Sequence, residues 1–596
     1  MALQRLLIKF SELLFLLLIL SLLFFNEKIY EVFQHTKSFS FALLIPAIAS
    51  VFLLSRRAIR IPGAALPVIF YLLYIAVLLF TDSKNTEAFR LMIYLSPAAF
   101  FLPFLVKFSP LKILAFMAML AAFSCVYGLF QFFSGIQRPY SFFGNPIFLG
   151  EFLGLLLPLI TAGLVISSGK TKLFFGAVFS IIPPCLLLTE SRGVFISLLI
   201  SLIVFLSFFS GSLKSALKNA VIPAAVSLVL ILLLLLFPAG RNAALENINR
   251  INPSLADKGP SPAAAGRALM AKAALPLFFQ NPFTGAGPGS YKYYYQKNQS
   301  EILKSNPGFN FISTSAAHND YLQILAETGI AGCLLFLLSV ILSAYYAFKK
   351  IFYKQKNTFI ICAALLSSVT FAAAESFFNF PMFIMPSSVL FWLLLGILIA
   401  VCSGTQKLPE KNTKTDPFLK AAVFAAALFF FCVLAFSSRG LLSGFYLKHA
   451  VNLDKVHDPA NEKYFSTACS FDPKNYYAYF FLGDSLAITG KYEDALTNYK
   501  KALNVYPFSA DAVYNTGVIH YIRGEFSEAA TQLEKAVDLY PDFSGARLYL
   551  AKSYIAMGKD QKAAEQLAAA EKASPGIILE DSSKNIKAFF EETGGF

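Results

Sequence analysis

Three ionisable residues stand where apolar runs turn polar: Arg192 in TESRGV, Arg267 in GRALMAKAALPLFF and His318 in SAAHNDYLQILAETGIAG. A neutral imidazole near its ordinary pKa suits removal of a proton from a hydroxyl. Guanidinium forks suit an anion, to which they offer several charge-assisted hydrogen bonds. Each residue also has a plain structural reading. Arg192 could be a snorkelling interface residue paired with Glu190, Arg267 an ordinary surface charge and His318 a satisfied structural histidine. After His318, the residues Asp320, Gln323 and Glu327 share one helical stripe. That stripe either points to an aqueous loop or gives Asp320 or Glu327 the task of orienting His318 or an acceptor.

The elements that must position these residues are membrane helices. Of 596 residues 57% are hydrophobic, 14% are charged and 64 are Phe, a bias that a soluble domain of this size does not show. Apolar runs long enough to cross the bilayer as helices fall near 10–26, 38–55, 64–81, 88–106, 111–134, 146–167, 173–189, 193–209 and 219–238, then 320–348, 358–375, 383–402 and 418–437, about thirteen in all. Asn26-Glu27 follows the first run where a signal peptide would need small residues, so that run is kept as a span. The seven Cys form no CxxC pair, and no disulfide framework or zinc site is read from them. The net charge of +15 is scattered through short loops without an aromatic-basic reading surface, which argues against nucleic acid.

Lys and Arg are concentrated in alternate loops. One set contains Arg5, Lys9, Arg56, Arg57, Arg60, Lys107, Lys112, Lys170, Lys172, Lys214, Lys218, Lys349, Lys350, Lys354, Lys356, Lys407, Lys411, Lys414 and Lys420; the other contains Lys28, Lys37, Lys84, Arg90, Arg138 and Arg192. Under the positive-inside rule the N-terminus is cytoplasmic, and the long 239–319 loop and the C-terminal domain face outward. Arg192, Arg267 and His318 then share one side of the membrane, which raises their joint reading above that of each alone.

The chain divides into an N-terminal bundle of about nine spans over 1–238, the outward loop over 239–319, about four further spans over 320–437, a linker with a half repeat over 438–475, three repeats over 476–577 and a tail over 578–596. The loop is basic, with Arg241, Arg250, Lys258, Arg267, Lys272, Lys292, Lys297 and Lys304 against Glu246, Asp257 and Glu301. Helices are expected near 266–280 and 290–303. Gly285, Gly287 and Gly289 lack the Lys-Ser/Thr of a P-loop and read as tight turns fitting the loop onto the bundle. The YKYYYQ run at 291–296 reads as an interfacial aromatic belt, with sugar stacking as the other option. No paired carboxylates of DxD type stand in the loop to hold a divalent metal.

Beyond the spans, Pro473, Pro507, Pro541 and Pro575 recur every 34 residues, as do Gly490, Gly524 and Gly558, and Ala495, Ala529 and Ala563. The period and residue types resemble the tetratricopeptide repeat, with Ala468 and Pro473 as half a unit ahead. Such a solenoid serves as a spacer or as a surface that recruits a protein partner, and recruitment is favoured.

The order SRG at 191–193, GR at 266–267, NPFTGAGPGSY and then HNDYLQILAETGIAG resembles the O-antigen ligase and polymerase superfamily over roughly residues 100–400. That resemblance implies an all-α polytopic bundle of the GT-C type with an appended tetratricopeptide solenoid, in a bacterial inner membrane. It implies a glycosyltransferase that moves an undecaprenyl-diphosphate-linked glycan onto a glycan, lipid or protein acceptor in the periplasm, as in lipopolysaccharide or other polysaccharide synthesis, without cofactor or metal. Carried over by position, Arg192 and Arg267 hold the diphosphate and His318 is catalytic. Asp320, Glu327 and Glu190 are candidates for supporting roles. Charge building on a departing diphosphate is what such arginines would meet.

Two other classes compete. A transporter predicts ionisable residues deep within spans, whereas Arg192, Glu327 and Glu375 cluster near the outward boundary. A membrane-anchored repeat scaffold leaves all but one span unexplained.

Overall fold

Apolar segments in lipid must satisfy their backbone polar groups internally, and the chain does so with helices. The computed structural model describes residues 2–21, 23, 32–55, 61–82, 93–208, 213–238, 240–242, 245, 262–305, 312, 314–404, 417–452 and 461–575. Arg56, Arg57, Arg60, Lys28, Lys84, Arg90, Glu246, Arg250, Asp257, Lys258, Lys407, Lys411, Lys414 and the 578–596 tail lie outside the described residues, as does the side chain of Lys37.

Among the described residues there is no strand. The first membrane-side helices are α1 (Ala2–Ser21), α2 (Val32–Ser55) and α3 (Leu66–Asp82). They are followed by α4 (Pro110–Phe133), α5 (Pro146–Ile166), α6 (Gly169–Thr189), α7 (Arg192–Ser207) and α8 (Leu213–Leu235). Two loop helices come next, α9 (Pro262–Gln280) and α10 (Ser290–Ser305). Then come α11 (Asp320–Ile351), α12 (Lys356–Glu375), α13 (Met385–Ser403) and α14 (Pro417–Asn452). Among the described residues six helices, α4, α5, α6, α11, α12 and α13, are long and apolar enough to cross a membrane. Shorter apolar helical stretches lie at Ser40–Leu53, Gly63–Leu79, Ile93–Leu105, Arg192–Ser207 and Ala220–Leu235; the Ile93–Leu105 stretch is 3-10 over Ser96–Phe101 and α-helical on either side.

The bundle packs around α13, whose apolar stretch is wholly buried. Small residues set the closest approaches. A methyl group at Gly396 would stand 2.1 Å from the Phe100 carbonyl oxygen, and one at Gly154 would stand 2.2 Å from the Phe371 ring. Side chains such as Phe123 and Phe130 remain outward, as expected of helices solvated by hydrocarbon.

Residues 438–475, expected as linker and half repeat, continue α14 to Asn452 and then form α15 (Asn461–Phe471). Leu447, Ala450 and Phe465 join the core of the repeats. The repeats are three antiparallel pairs: α16 (Tyr476–Ile488) with α17 (Tyr492–Val505), α18 (Ala510–Ile522) with α19 (Phe526–Leu539), and α20 (Ser544–Ala556) with α21 (Asp560–Ala573). Gly490, Gly524 and Gly558 sit at φ 76°, 77° and 69° in the turn within each pair, a backbone region that glycine enters without steric cost.

Candidate active site

The segment that brings His318 to the bundle ends in a helix cap. Asn319 accepts a hydrogen bond from the Leu322 amide at 3.0 Å and starts α11. Nine residues into this helix, Gly329 takes φ 65° and ψ −172° and breaks the hydrogen-bond ladder. Such a break at membrane depth requires new partners. The loop and α3 supply them: the Ala286 and Gly287 amides of the loop donate to the Ala326 and Glu327 carbonyls at 2.9 and 3.0 Å, and Tyr74 Oη of α3 donates to the Thr328 carbonyl at 2.8 Å. In return the Ile330 amide donates to the Pro282 carbonyl at 2.8 Å. The fit admits no side chain, since a methyl on Gly285 would lie 2.4 Å from the Glu327 carbonyl carbon. Gly285, Gly287 and Gly289 all have positive φ, so these glycines do form the turns that seat the loop on the bundle.

The polar stripe of α11 faces protein rather than an aqueous loop. Asp320, Gln323 and Glu327 are buried. Glu327 accepts from the Gly289 amide at 2.8 Å and the Tyr291 amide at 3.1 Å, and from Gln323 Nε2 at 3.2 Å. Gln323 Oε1 also accepts from the Ala317 amide at 2.9 Å. Asp320 accepts from Ser376 Oγ at 2.7 Å and from the Met382 amide at 3.0 Å. Glu327 thereby anchors the start of α10, and Asp320 anchors the turn after α12.

Arg267 lies in the second turn of α9. That helix is braced by α10, where Tyr291 Oη donates to the Met270 carbonyl at 2.9 Å and Asn298 Nδ2 to the Ala273 carbonyl at 2.9 Å. Tyr291 and Tyr295 are buried in this small core. Tyr293 and Tyr294 instead pack on Phe508 of the repeats, with ring centroids 5.7 and 5.6 Å apart. The YKYYYQ run is therefore not an interfacial belt. It joins loop to loop and loop to repeats, because alternate faces of one helix meet different partners. Tyr506 Oη adds a hydrogen bond to Gln296 at 3.3 Å, Lys304 pairs with Asp538, and Lys297 sits 5.7 Å over the Phe508 ring.

Arg192 opens α7, with Gly193 after it pressed against the end of α12. A methyl on Gly193 would stand 3.0 Å from Glu375 Oε1 and 3.1 Å from Asn379 Nδ2. Glu190 precedes it at φ 53° and forms an ion pair with Arg138 Nε at 3.3 Å.

These elements bring Arg267 within electrostatic reach of both Arg192 and His318. Burial lowers the Arg267 pKa and the Arg192 charge lowers it further, while Glu375 opposes both. Burial, then the Arg267 charge, pushes the His318 imidazole down to about 4. The ring is held edge-on against Phe380, centroids 4.5 Å apart, and its Nδ1 is buried without a hydrogen-bond partner. His318 itself has φ 51°, a strained conformation that the surrounding contacts impose. A neutral imidazole within reach of the Arg267 guanidinium can accept a proton close to a bound anion.

Of the segment Glu375–Phe380, ESFFNF, the sequence points only to Glu375, as an ionisable residue near the outward boundary, yet the whole segment joins the site's parts. Glu375 accepts from Ser197 Oγ of α7 at 2.8 Å and from Asn379 Nδ2. The Ser376 carbonyl accepts from the Asp320 amide at 2.9 Å, the Phe377 carbonyl accepts from Asn319 Nδ2 at 3.2 Å, and Phe380 meets His318. An ionisable Glu at the end of an apolar run was the available signal.

Comparison with known proteins agrees with this division. A family model described as O-antigen ligase matches residues 175–337, spanning α7, the loop and the first part of α11. Two tetratricopeptide repeat models match residues 482–542 and 520–577. No curated protein matches the chain. Similar solved structures include a MamA protein at 16% identity, covering 28% of this chain and 87% of that one with TM-score 0.21. A Desulfovibrio magneticus MamA fragment is 19% identical, covering 28% and 91% with TM-score 0.21. The chain thus combines six membrane-length apolar helices among its described residues with a segment, 175–337, that matches an O-antigen ligase family model and a following segment, 482–577, that matches tetratricopeptide repeats.

Proposed function

We propose that this protein is a glycosyltransferase of the ligase or polymerase kind, acting at the periplasmic face of a bacterial inner membrane. It transfers a glycan from undecaprenyl diphosphate to a hydroxyl of an acceptor, with inversion and without a metal. His318 takes the hydroxyl proton as the acceptor oxygen bonds to the anomeric carbon. The bond from that carbon to the diphosphate oxygen breaks, and its electron pair leaves with the diphosphate, where Arg192 and Arg267 meet the developing charge. The observation that carries this reading is the electrostatic coupling of Arg192 to Arg267 and of Arg267 to His318, three residues from separate parts of the chain.

The free site holds His318 neutral but weakly basic. A bound diphosphate offsets the positive charge of Arg267 and strengthens the base when the donor is in place. The repeats, packed on α10, stand where they could present an acceptor or a protein partner.

The test is complementation of a deletion strain with His318→Ala and Arg267→Ala, each checked for membrane insertion. Both are expected to abolish transfer of the surface glycan, visible as loss of the long-chain product on gels. Full transfer by either variant rejects the assigned chemistry.

A further inference from the structure

His318 holds a backbone angle that an L side chain rarely adopts, φ 51°, so the chain on both sides of it must be fastened for the ring to keep its place. On the C-terminal side Asn319 Nδ2 donates to the Phe377 carbonyl at 3.2 Å, and the Asp320 amide donates to the Ser376 carbonyl at 2.9 Å. On the N-terminal side the Ala317 amide donates at 2.9 Å to Oε1 of Gln323, in the first turn of α11. The Gln323 Nε2 donates to Glu327 Oε1 at 3.2 Å, one turn further on. Each end of the amide thus meets its opposite, a donor at Oε1 and an acceptor at Nε2, and only this orientation of the side chain satisfies both. Glu327 also accepts from the Tyr291 amide at 3.1 Å and the Gly289 amide at 2.8 Å. Tyr291 extends the connection: its Oη donates at 2.9 Å to the carbonyl of Met270, three residues after Arg267 on α9. Ala317, Gln323, Glu327 and Tyr291 are all buried, so water does not replace a bond lost between them.

We infer that Gln323 is a positioning residue: it fastens the strained turn that carries His318 and, through Glu327 and Tyr291, ties that turn to the helix that carries Arg267, fixing the spacing of the two. This rests on the function proposed above and adds to it the element that sets where the proton is taken relative to the anion. Without Gln323 the Ala317 amide is buried with no acceptor, and His318 relaxes toward an ordinary backbone angle, turning its ring away from Phe380 and into water. Arg267 stays in place, because Glu327 still accepts from Gly289 and Tyr291. A glutamine that only capped the start of α11 would, on removal, weaken the fold and leave the chemistry of each folded molecule unchanged.

The experiment compares wild type with Gln323→Leu, which keeps the bulk and removes both hydrogen bonds. Three quantities are read: surface-glycan transfer by a complemented deletion strain at matched protein level, the Kd for undecaprenyl diphosphate of the full-length protein in nanodiscs, and the pH midpoint for acylation of His318 by diethyl pyrocarbonate. Transfer is expected to fall by about 10- to 100-fold, the cost of a base misplaced by about an ångström, with the Kd unchanged. The His318 midpoint is expected to rise from about 4 toward 6.5 as the ring enters water. Lower thermal stability with an unmoved midpoint and normal transfer per folded molecule overturns the inference and leaves the proposed function standing. A Kd that weakens as much as transfer falls also overturns it, since the loss then lies in the anion site. A raised midpoint with undiminished transfer supports the positioning and rejects His318 as the base, so the proposed function fails instead. If Gln323→Leu does not fold, Gln323→Asn decides. Its amide is one methylene too short to reach both Ala317 and Glu327, so it should give the same shifts in smaller measure, and no shift rejects the role.

Discussion

His318 is expected to stay neutral far below the pH at which an ordinary imidazole is half protonated. In solution that midpoint is near 6.5. In the folded protein it falls to about 4, with burial as the larger cause and the Arg267 charge as the second. The difference corresponds to roughly 3 kcal/mol in favour of the neutral ring. Because burial dominates, Arg267→Gln should recover less than half of the difference, so the midpoint should rise to no more than about 5. Diethyl pyrocarbonate acylates only neutral imidazole, so modification of the His318 peptide, followed across pH by mass spectrometry against free N-acetylhistidine, reads the midpoint directly. Addition of undecaprenyl diphosphate should raise the midpoint, since the anion offsets Arg267. The folded pKa lies below the unfolded one, so the contribution of this residue to stability is present above pH 6.5 and is lost as pH falls toward 4, where the unfolded chain has already taken its proton. A wild-type midpoint near 6.5, or one that does not move in Arg267→Gln, would refute the electrostatic account of the site.

Two further perturbations probe how the site is built. Gly329→Ala places a methyl 2.3 Å from the Phe283 carbonyl oxygen at a φ of 65°, against backbone that cannot yield, so it should cost more than about 3 kcal/mol. Thermal unfolding and proteolysis of the 282–290 segment would report this, and near-native behaviour would contradict the splice between loop and α11. Phe508→Ala removes the ring shared by Tyr293 and Tyr294, worth about 1 kcal/mol per aromatic pair. The yield of a cross-link between Lys304→Cys and Asp538→Cys should then fall severalfold, and an unchanged yield would show that the repeats do not dock through this contact.

Much of the architecture could be read in one dimension, because the signals are local. The expected helices near 266–280 and 290–303 appear as Pro262–Gln280 and Ser290–Ser305. The 34-residue period appears as helix pairs with a left-handed glycine in each turn. The run near 88–106 appears over its described part as an apolar helical stretch, Ile93–Leu105, whose middle, containing Pro97, tightens to 3-10 geometry. The polar stripe of α11 illustrates a different limit. Helical spacing correctly put Asp320, Gln323 and Glu327 on one face, but whether that face met water or protein depended on where the 282–291 segment landed.

The same holds for YKYYYQ, whose aromatic content is evident and whose two sets of partners are not. Composition and periodicity determined that this chain is a helical membrane bundle with a repeat solenoid, because burial of apolar faces and satisfaction of backbone hydrogen bonds act over a few turns of chain. Residue type, a common side of the membrane and the family resemblance together marked Arg192, Arg267 and His318 as candidates to handle an anion and a proton. Only the tertiary structure decided that Glu375 packs on the first turns of α7, that Phe380 holds the imidazole, and that a broken helix is completed by a glycine loop. Those depend on contacts between segments distant in sequence, and neither the charge of a side chain nor its spacing along one helix says what it will face.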